Sequence, residues 1–160
     1  SEFAEHLAQN AKGLSYIALS ENNIDDDSWQ EKINLHRKRR PKEWKLIETT
    51  DLLTSLRKED GPLLIDSIGG FVMESIDRKN KEWLSKMDSL ITLLKKRKSK
   101  TYIVGEQVGW SLVSEYKIGN IYIERIGELQ KRITKISKDN WLAINGRAIK
   151  IDEISFEIPT

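Results

Sequence analysis

Short apolar runs alternate with longer stretches of helical periodicity along this chain of 160 residues. The runs suit β-strands, because they are only a few residues long and are bounded by polar or glycine-containing turns. They lie within residues 16–20, 44–49, 61–70 and 101–110. Between and after them, apolar residues recur three or four positions apart, as in residues 81–98 and, less regularly, 118–136. Strands that alternate with helices predict an α/β fold with a largely parallel sheet.

Turn residues indicate where some of these elements end. Residues 1–13 suit a helix that Gly13 would end, and Pro41 would end a second helix that starts after the acidic residues near position 26. Asn145-Gly146 separates two β-rich runs and is the strongest short hairpin signal in the chain. We therefore expect a C-terminal β-hairpin after the main sheet.

Composition narrows the class of protein. Hydrophobic residues are 38% and charged residues 32% of the chain, the net charge is only +2 and there is no cysteine. A near-neutral balance argues against nucleic acid as a partner, and no apolar run reaches the roughly 18 residues that a membrane-spanning helix needs. The absence of thiols is compatible with a reducing compartment. We expect one cytoplasmic α/β domain over residues 1–160.

Polar residues follow two of the predicted strands, where parallel sheets bind their ligands. Asp66 ends the run LLID, and Glu106 and Gly109 follow the run TYIV. Asp66 could hold a metal ion or could simply cap the next helix. Gly109 could allow a ligand to approach the backbone, although an ordinary turn after the strand explains Glu106 and Gly109 as well.

His36 lies next to four consecutive basic residues, in INLHRKRRPKEW. A neutral imidazole is a competent nucleophile near pH 7, and Arg37 to Arg40 could bind a triphosphate and its leaving pyrophosphate. The alternative is a solvated helix end whose cations complement the helix dipole. The other histidine, His6, lies in the first predicted helix, and we interpret it as a surface residue.

Several stretches resemble one family in the same order along nearly the whole chain. The stretches are SEFAEHLA (1–8), DDSWQEKINLHRKRRPKEW (26–44), LLIDSIGG (63–70), EQVGWSLVSE (106–115) and LAINGRAIKI (142–151). The chain resembles the adenosylcobinamide kinase/adenosylcobinamide-phosphate guanylyltransferase family of cobalamin biosynthesis, and the His-to-Trp segment carries the most specific part of the resemblance.

The resemblance implies a RecA-like phosphate-loop NTPase fold and a homo-oligomer, generally a trimer. It also implies two reactions. The aminopropanol hydroxyl of adenosylcobinamide is phosphorylated by GTP or ATP, and GMP is then transferred from GTP to that phosphate through a guanylyl-histidine, which gives adenosylcobinamide-GDP. His36 matches the guanylylated histidine of this family.

The resemblance also implies the nucleotide site. Ser1 matches the Ser of the family's Gly-Lys-Ser, and Ser1 and Asp66 become the candidate Mg²⁺ ligands. Asp26 and Asp27 match the family's paired acids, although capping of the helix that carries His36 explains them nearly as well. The full set of candidate nucleotide-binding residues is Ser1, Arg37, Arg40, Asp66, Glu106 and Gly109.

The chain departs from the family pattern at two places. The phosphate loop and the strand before it are absent ahead of Ser1, so we expect an N-terminally truncated chain with a gap in its sheet and an uncertain kinase activity. The second place is the region after the fourth strand. The residues that differ there are Gln107, Ser114, Asn120, Ile123, Glu128 and Gln130.

Three functions follow from these observations. The leading hypothesis is the bifunctional kinase and guanylyltransferase. The alternative is a catalytically reduced nucleotide-binding relative with a regulatory or binding role, which the changes in residues 107–130 would suit. A basic nucleic-acid module that uses residues 37–40 and 95–100 ranks last, because the net charge is only +2.

Overall fold

A computed structural model describes residues 1–19, 41–110 and 114–158 of the chain. Its first part contains helix α1 (Glu2–Ala8) and strands β1 (Ser15–Ala18) and β2 (Lys45–Glu48). Helix α2 (Leu52–Lys58), strand β3 (Leu63–Asp66), helix α3 (Ile68–Met73), helix α4 (Asn80–Lys96) and strand β4 (Thr101–Ile103) follow. Helix α5 (Lys117–Thr134), strands β5 (Trp141–Ile144) and β6 (Arg147–Lys150) and a 3-10 turn (Ile151–Glu153) complete it.

The four strands β1 to β4 form one parallel sheet in the order β2-β1-β3-β4. This confirms the predicted α/β class and the largely parallel sheet. Strands β1 and β3 occupy the centre and are almost entirely buried, which explains their continuous apolar runs. Leu63 pairs directly with Thr101, so β3 and β4 are neighbours. The expected gap in the sheet is therefore wrong for the described strands.

The two faces of the sheet are covered differently. Tyr16 and Leu64 project to one face, where they pack with Ala8 of α1 and with Trp44. Alternate residues project to the other face, since successive side chains of a strand point to opposite sides. Ile17, Leu63 and Ile65 there form the larger core with residues from helices α2 to α5. Asp66 follows the period of Leu64 and therefore lies on the face of α1.

The larger core includes the aromatic pair Phe71 of α3 and Trp83 of α4, whose ring centroids are 5.9 Å apart. Buried Arg125 of α5 lies over the Trp83 ring and donates hydrogen bonds to the backbone carbonyls of Ser75, Ile76 and Arg78. These carbonyls follow the end of α3 and have no continuing helix to bond with. Arg125 thus joins α5 to the connection between α3 and α4.

The ends of the helices and strands agree with the sequence-based predictions only in part. Asn145 and Gly146 both have positive φ, as a two-residue type I′ turn requires, and they join β5 to β6 as predicted. Helix α1, however, ends at Ala8 rather than near Gly13. A turn closed by Ala11 N–H to Ala8 carbonyl follows it, and Gly13 supplies a left-handed residue before β1.

Candidate functional site

Asp66 ends β3 at the carboxyl edge of the sheet, between two neighbouring strands. It lies opposite Ala18 in the register with β1. The buried Tyr16 of β1 donates its hydroxyl hydrogen to Asp66 Oδ2. This donor is neutral and fixes one carboxylate oxygen on the face of the sheet that α1 covers. Among the described residues no cation pairs with Asp66.

Glu106 lies three residues after β4 and binds the turn that follows Asp66. Its carboxylate accepts hydrogen bonds from Ser67 Oγ and, at 3.1 Å, from the backbone N–H of Gly69. The Ile68 N–H also donates to the Val104 carbonyl at 2.9 Å. The predicted convergence of Asp66 and Glu106 at one edge is thus present, with Ser67 between them in the chain and in the network.

Helix α5 supplies two side chains to this network. Gln130 Nε2 donates to the Glu106 carbonyl at 2.8 Å. The Tyr122 hydroxyl lies beside Glu106, and burial together with the negative charge of Glu106 raises the pKa of Tyr122 to about 12. Tyr122 is therefore a neutral phenol at physiological pH and can donate a hydrogen bond at the edge of the site.

Crowding by neighbouring atoms explains the two glycines, Gly69 and Gly70, in the first turn of α3. A Cβ atom on Gly69 would collide with the Tyr122 hydroxyl and the Glu106 carboxylate. A Cβ atom on Gly70 would collide with the backbone carbonyl of Leu19. Among the described residues, the nearest atom to a Cβ on Gly109 would be 3.7 Å away. The Leu19 backbone therefore leaves no room for a side chain at residue 70, whereas a side chain at residue 69 would have to displace the ends of two other side chains.

Ser1 is the N-cap residue of α1, and its side chain makes no capping hydrogen bond. Helix α1 packs against β3 and β4, and its C-terminal end leads into the start of β1. The N-terminal end of α1 therefore points towards the carboxyl edge, on the same face of the sheet as Asp66. This direction suits the pairing of Ser1 with Asp66 that the resemblance implies.

The other predicted nucleotide-site residues, His36, Arg37 and Arg40, lie outside the described residues, as do Asp26 and Asp27. Their roles stay predictions. His6 is exposed on α1 and lies against the Phe3 ring, with centroids 6.5 Å apart, so the interpretation of His6 as a surface residue is confirmed.

The residues that depart from the family pattern form hydrogen bonds of their own. Asn120 Nδ2 donates to the Ser114 carbonyl at 3.0 Å, and Ser114 Oγ accepts the Tyr116 N–H at 3.1 Å. Glu128 pairs with Arg132 along α5, and Gln130 bonds to Glu106 as described above. Ser114 and Asn120 are thus bonded to each other at the start of α5, and Gln130 contacts the backbone of the site.

The carboxylate oxygens at this edge are donors of the kind that Mg²⁺ accepts. The described residues contain no group of three or more His, Cys, Asp and Glu side chains that could enclose a metal ion. Mg²⁺ keeps several waters and is commonly bound by one or two carboxylates together with substrate phosphates. Asp66, whose second oxygen pairs only with a neutral hydroxyl in the described structure, fits this mode of binding.

A parallel sheet with acidic residues and glycines at its carboxyl edge is typical of α/β proteins that bind a ligand at that edge, nucleotide-binding proteins among them. The sequence model of the family "cobinamide kinase / cobinamide phosphate guanyltransferase" matches residues 1–151, and the chain belongs to this family. Its four-stranded parallel sheet and C-terminal hairpin are consistent with the phosphate-loop NTPase-like fold expected above. Family membership places the chain among the nucleotide-binding transferases of cobalamin biosynthesis.

Two curated relatives are similar over nearly their whole length. The bifunctional adenosylcobalamin biosynthesis protein CobU of Escherichia coli (strain K12) is 25% identical to this chain. The alignment is 169 positions long with its gaps, and it includes 94% of this chain and 92% of the relative. The protein of the same name from Salmonella typhimurium is 24% identical over the same shares of the two chains. No helix in the described part of the chain is long and apolar enough to cross a membrane.

Proposed function

We propose that this protein catalyses both reactions of its family. It phosphorylates the aminopropanol hydroxyl of adenosylcobinamide with GTP or ATP, and it then transfers GMP from GTP to that phosphate. The observation that carries the proposal is the pair of acids Asp66 and Glu106 at the carboxyl edge of the sheet. The match of the family's sequence model to residues 1–151 supports it. Two acids held only by neutral donors among the described residues give the carboxyl edge a negative charge that can bind a cation.

In the phosphorylation step, Ser1 and Asp66 would hold Mg²⁺, which neutralises charge on the nucleotide phosphates when it is bound. The substrate hydroxyl oxygen bonds to the γ-phosphorus, and the bond to the β-phosphate oxygen breaks. The hydroxyl proton needs an acceptor within hydrogen-bond reach. Glu106, beside Asp66 and held by Ser67, is the described carboxylate placed to accept it or to position the nucleotide.

In the guanylyl transfer, a ring nitrogen of His36 would attack the α-phosphorus of GTP. A nitrogen–phosphorus bond forms and pyrophosphate leaves with the electrons of the broken phosphorus–oxygen bond. A phosphate oxygen of adenosylcobinamide phosphate then attacks the same phosphorus, which restores His36 and forms adenosylcobinamide-GDP. Arg37 and Arg40 would bind the departing pyrophosphate, and Gly109 would lie close to the nucleotide. A homo-oligomer, generally a trimer in the family, completes the proposal.

The test uses the two histidines of the chain as a matched pair. The natural full-length protein is incubated with Mg²⁺ and GTP labelled at the α-phosphate, and protein-bound label is measured after acid and base treatment. We expect a label that is lost in acid and kept in base, as a phosphoramidate is. His36→Ala should abolish it. His6→Ala should keep it, because His6 is an exposed residue of α1 that lies against the Phe3 ring.

Two outcomes would contradict parts of the proposal. Label that persists in His36→Ala would show that another group is the nucleophile. GTP binding without any label in the wild-type protein would favour the nucleotide-binding relative without catalysis. The kinase half is measured separately, by transfer of γ-labelled phosphate to adenosylcobinamide, so that each activity can fail alone.

A further inference from the structure

Three large apolar side chains are exposed on the two described pieces of chain beside the site, one that ends at Trp110 and one that contains Tyr116 and Ile118 at the start of α5. Trp110 is 64% exposed, Tyr116 78% and Ile118 56%. We call Trp110, Tyr116 and Ile118 the apolar rim. Leaving several large apolar side chains in water on one short segment is unfavourable, and such surfaces commonly bind a ligand or a partner.

The apolar rim is attached to the site by a fixed network. Glu106 is bonded to Ser67 and Gly69 before the rim begins, and Gln130 holds the Glu106 backbone. Asn120 and Ser114 bond to each other at the start of α5, beside Tyr116 and Ile118. Trp110 therefore follows a residue that is held in the site, and Tyr116 and Ile118 lie at the bonded start of α5.

The rim also lies within reach of the reacting groups. Trp110 is four residues along the chain from Glu106, so the two backbones can be at most about 14 Å apart. A nucleotide bound at the carboxyl edge would therefore share the site with whatever contacts the rim. A guanine base could stack on one aromatic side chain, but three large side chains distributed over residues 110–118 suit a broader apolar ligand.

We propose that the apolar rim binds the corrin macrocycle of the cobinamide substrate and so holds its aminopropanol arm at Asp66 and Glu106. This inference rests on the proposed function. A corrin ring has two broad faces and a periphery of neutral amides. Trp110, Tyr116 and Ile118 supply the apolar contact area. Glu115 and Lys117, which alternate with Tyr116 and Ile118 in the sequence, can form hydrogen bonds with the amides.

The test compares exposed aromatic residues in two places. Trp110→Ala and Tyr116→Ala each remove one aromatic side chain of the apolar rim. The control, Phe156→Ala, removes an aromatic side chain that is 98% exposed near the C-terminus. Cobinamide retained by each protein in ultrafiltration is measured by its visible absorbance. We expect each rim variant to raise the Kd for cobinamide about tenfold, the loss of one well-packed aromatic contact. The Kd for GTP and the α-label on His36 should stay within twofold of wild type.

The outcomes separate this inference from the proposed function. Wild-type protein that binds no cobinamide, or takes no label from GTP, would overturn the proposed function and the inference with it. Wild-type behaviour in both assays, with an unchanged cobinamide Kd in Trp110→Ala and Tyr116→Ala, would overturn the inference alone. A rim variant that dissociates an oligomer in sedimentation, while cobinamide binding stays intact, would show that the rim contacts a second copy and would also overturn it.

Discussion

The acidic residues at the amino and carboxyl edges of the parallel sheet have different hydrogen-bond donors. At the amino edge, Glu59 accepts hydrogen bonds from Lys45 Nζ at 2.6 Å and from Ser15 Oγ at 2.7 Å. Arg97 donates to the backbone carbonyls of Glu59 and Gly61 and, at 2.9 Å, to Thr101 Oγ1. The charge of Glu59 is neutralised within the fold, and these contacts join the starts of β1, β2, β3 and β4.

At the carboxyl edge, Asp66 and Glu106 accept hydrogen bonds from hydroxyl groups and from a backbone N–H. Within the described residues, neither acid forms an ion pair with lysine, arginine or histidine. A carboxylate held by neutral donors is oriented but keeps its charge, so it can still attract a cation. Ion pairing at the amino edge therefore stabilises the fold. The acids of the carboxyl edge, which form no ion pair among the described residues, suit the cation-binding role proposed above.

Exchanging one charge at each edge gives the largest expected effect. Asp66→Asn keeps an oxygen that can accept the Tyr16 hydrogen bond but removes the negative charge. We expect turnover in both transfer reactions to fall by about 100-fold or more, since changes at a metal-binding group have effects of this order or greater. Asp60→Asn, at the amino edge, is the control, because Asp60 accepts the Ser99 hydroxyl through its backbone carbonyl rather than its side chain.

The measurement is initial rate against Mg²⁺ concentration for both variants, with thermal unfolding to confirm that each is folded. Activity of Asp66→Asn close to wild type would contradict the assignment of Asp66 as a cation-binding residue. Equal losses in Asp66→Asn and Asp60→Asn would show that the contrast between the edges has no functional meaning.

Two glycines test how tightly the carboxyl edge is packed. Gly70 lies in the crowded start of α3, and Gly127 lies in α5 and serves as the comparison. The Cβ atom of Gly70→Ala would press on the Leu19 carbonyl, a backbone atom that cannot rotate away, and should destabilise the fold by about 1–3 kcal/mol. Gly127 lies inside α5, and no atom of the described residues would lie within 4 Å of a Cβ at this position. Gly127→Ala should therefore stabilise the fold by about 1 kcal/mol, because alanine loses less backbone entropy in a helix.

Urea unfolding of the two variants measures both free energies, and the slope with denaturant must match wild type for the comparison to be valid. A stability of Gly70→Ala equal to that of wild type would mean that α3 shifts to make room beside β1. The crowding that we assign to the carboxyl edge would then be absent.

The sequence predicts the strands well because their physical causes are local. Strands β1 and β3 are buried on both faces, so nearly every residue in them must be apolar, and a short apolar run shows it. The hairpin follows from Asn145-Gly146 for the same reason, because two successive residues with positive φ leave few alternatives. The sequence predicts helix ends less well. Helix α1 ends at Ala8, although the glycine that would usually mark its end is Gly13, five residues later.

The site is predictable only where a strand end marks it. Asp66 and Glu106 each follow an apolar run, and the sheet brings them together. Tyr122 and Gln130 give no such signal, because their roles arise only when α5 packs against the edge, 16 and 24 residues beyond Glu106. Gln130 was recognised as a departure from the family pattern, but its contact with Glu106 needed the fold. The expected gap in the sheet was wrong because β4 pairs with β3 directly.

The smallest expected effect is on the pH dependence of the unfolding free energy, to which the two edges contribute at opposite ends of the pH range. Hydrogen bonds from Lys45 and Ser15 lower the pKa of Glu59 below the ordinary glutamate value of 4.5. Glu59 therefore stabilises the fold above that value, and its contribution is lost as the pH falls through the lowered pKa. The pKa of Tyr122 is instead raised from 10.0 to about 12. The folded protein then holds a proton that the unfolded chain releases above pH 10, so stability is lost as the pH rises between these values.

Each edge should thus limit stability at one end of the pH range. Glu59→Gln should flatten the acidic limb of a plot of unfolding free energy against pH and leave the alkaline limb unchanged. Tyr122→Phe should do the reverse, because it removes the phenol that resists ionisation beside Glu106. Glu43→Gln and Tyr116→Phe, at exposed positions, are the matched controls and should change neither limb. An alkaline limb that is the same in Tyr122→Phe and wild type would contradict the placement of Tyr122 against Glu106, and with it the contribution of α5 to the carboxyl edge.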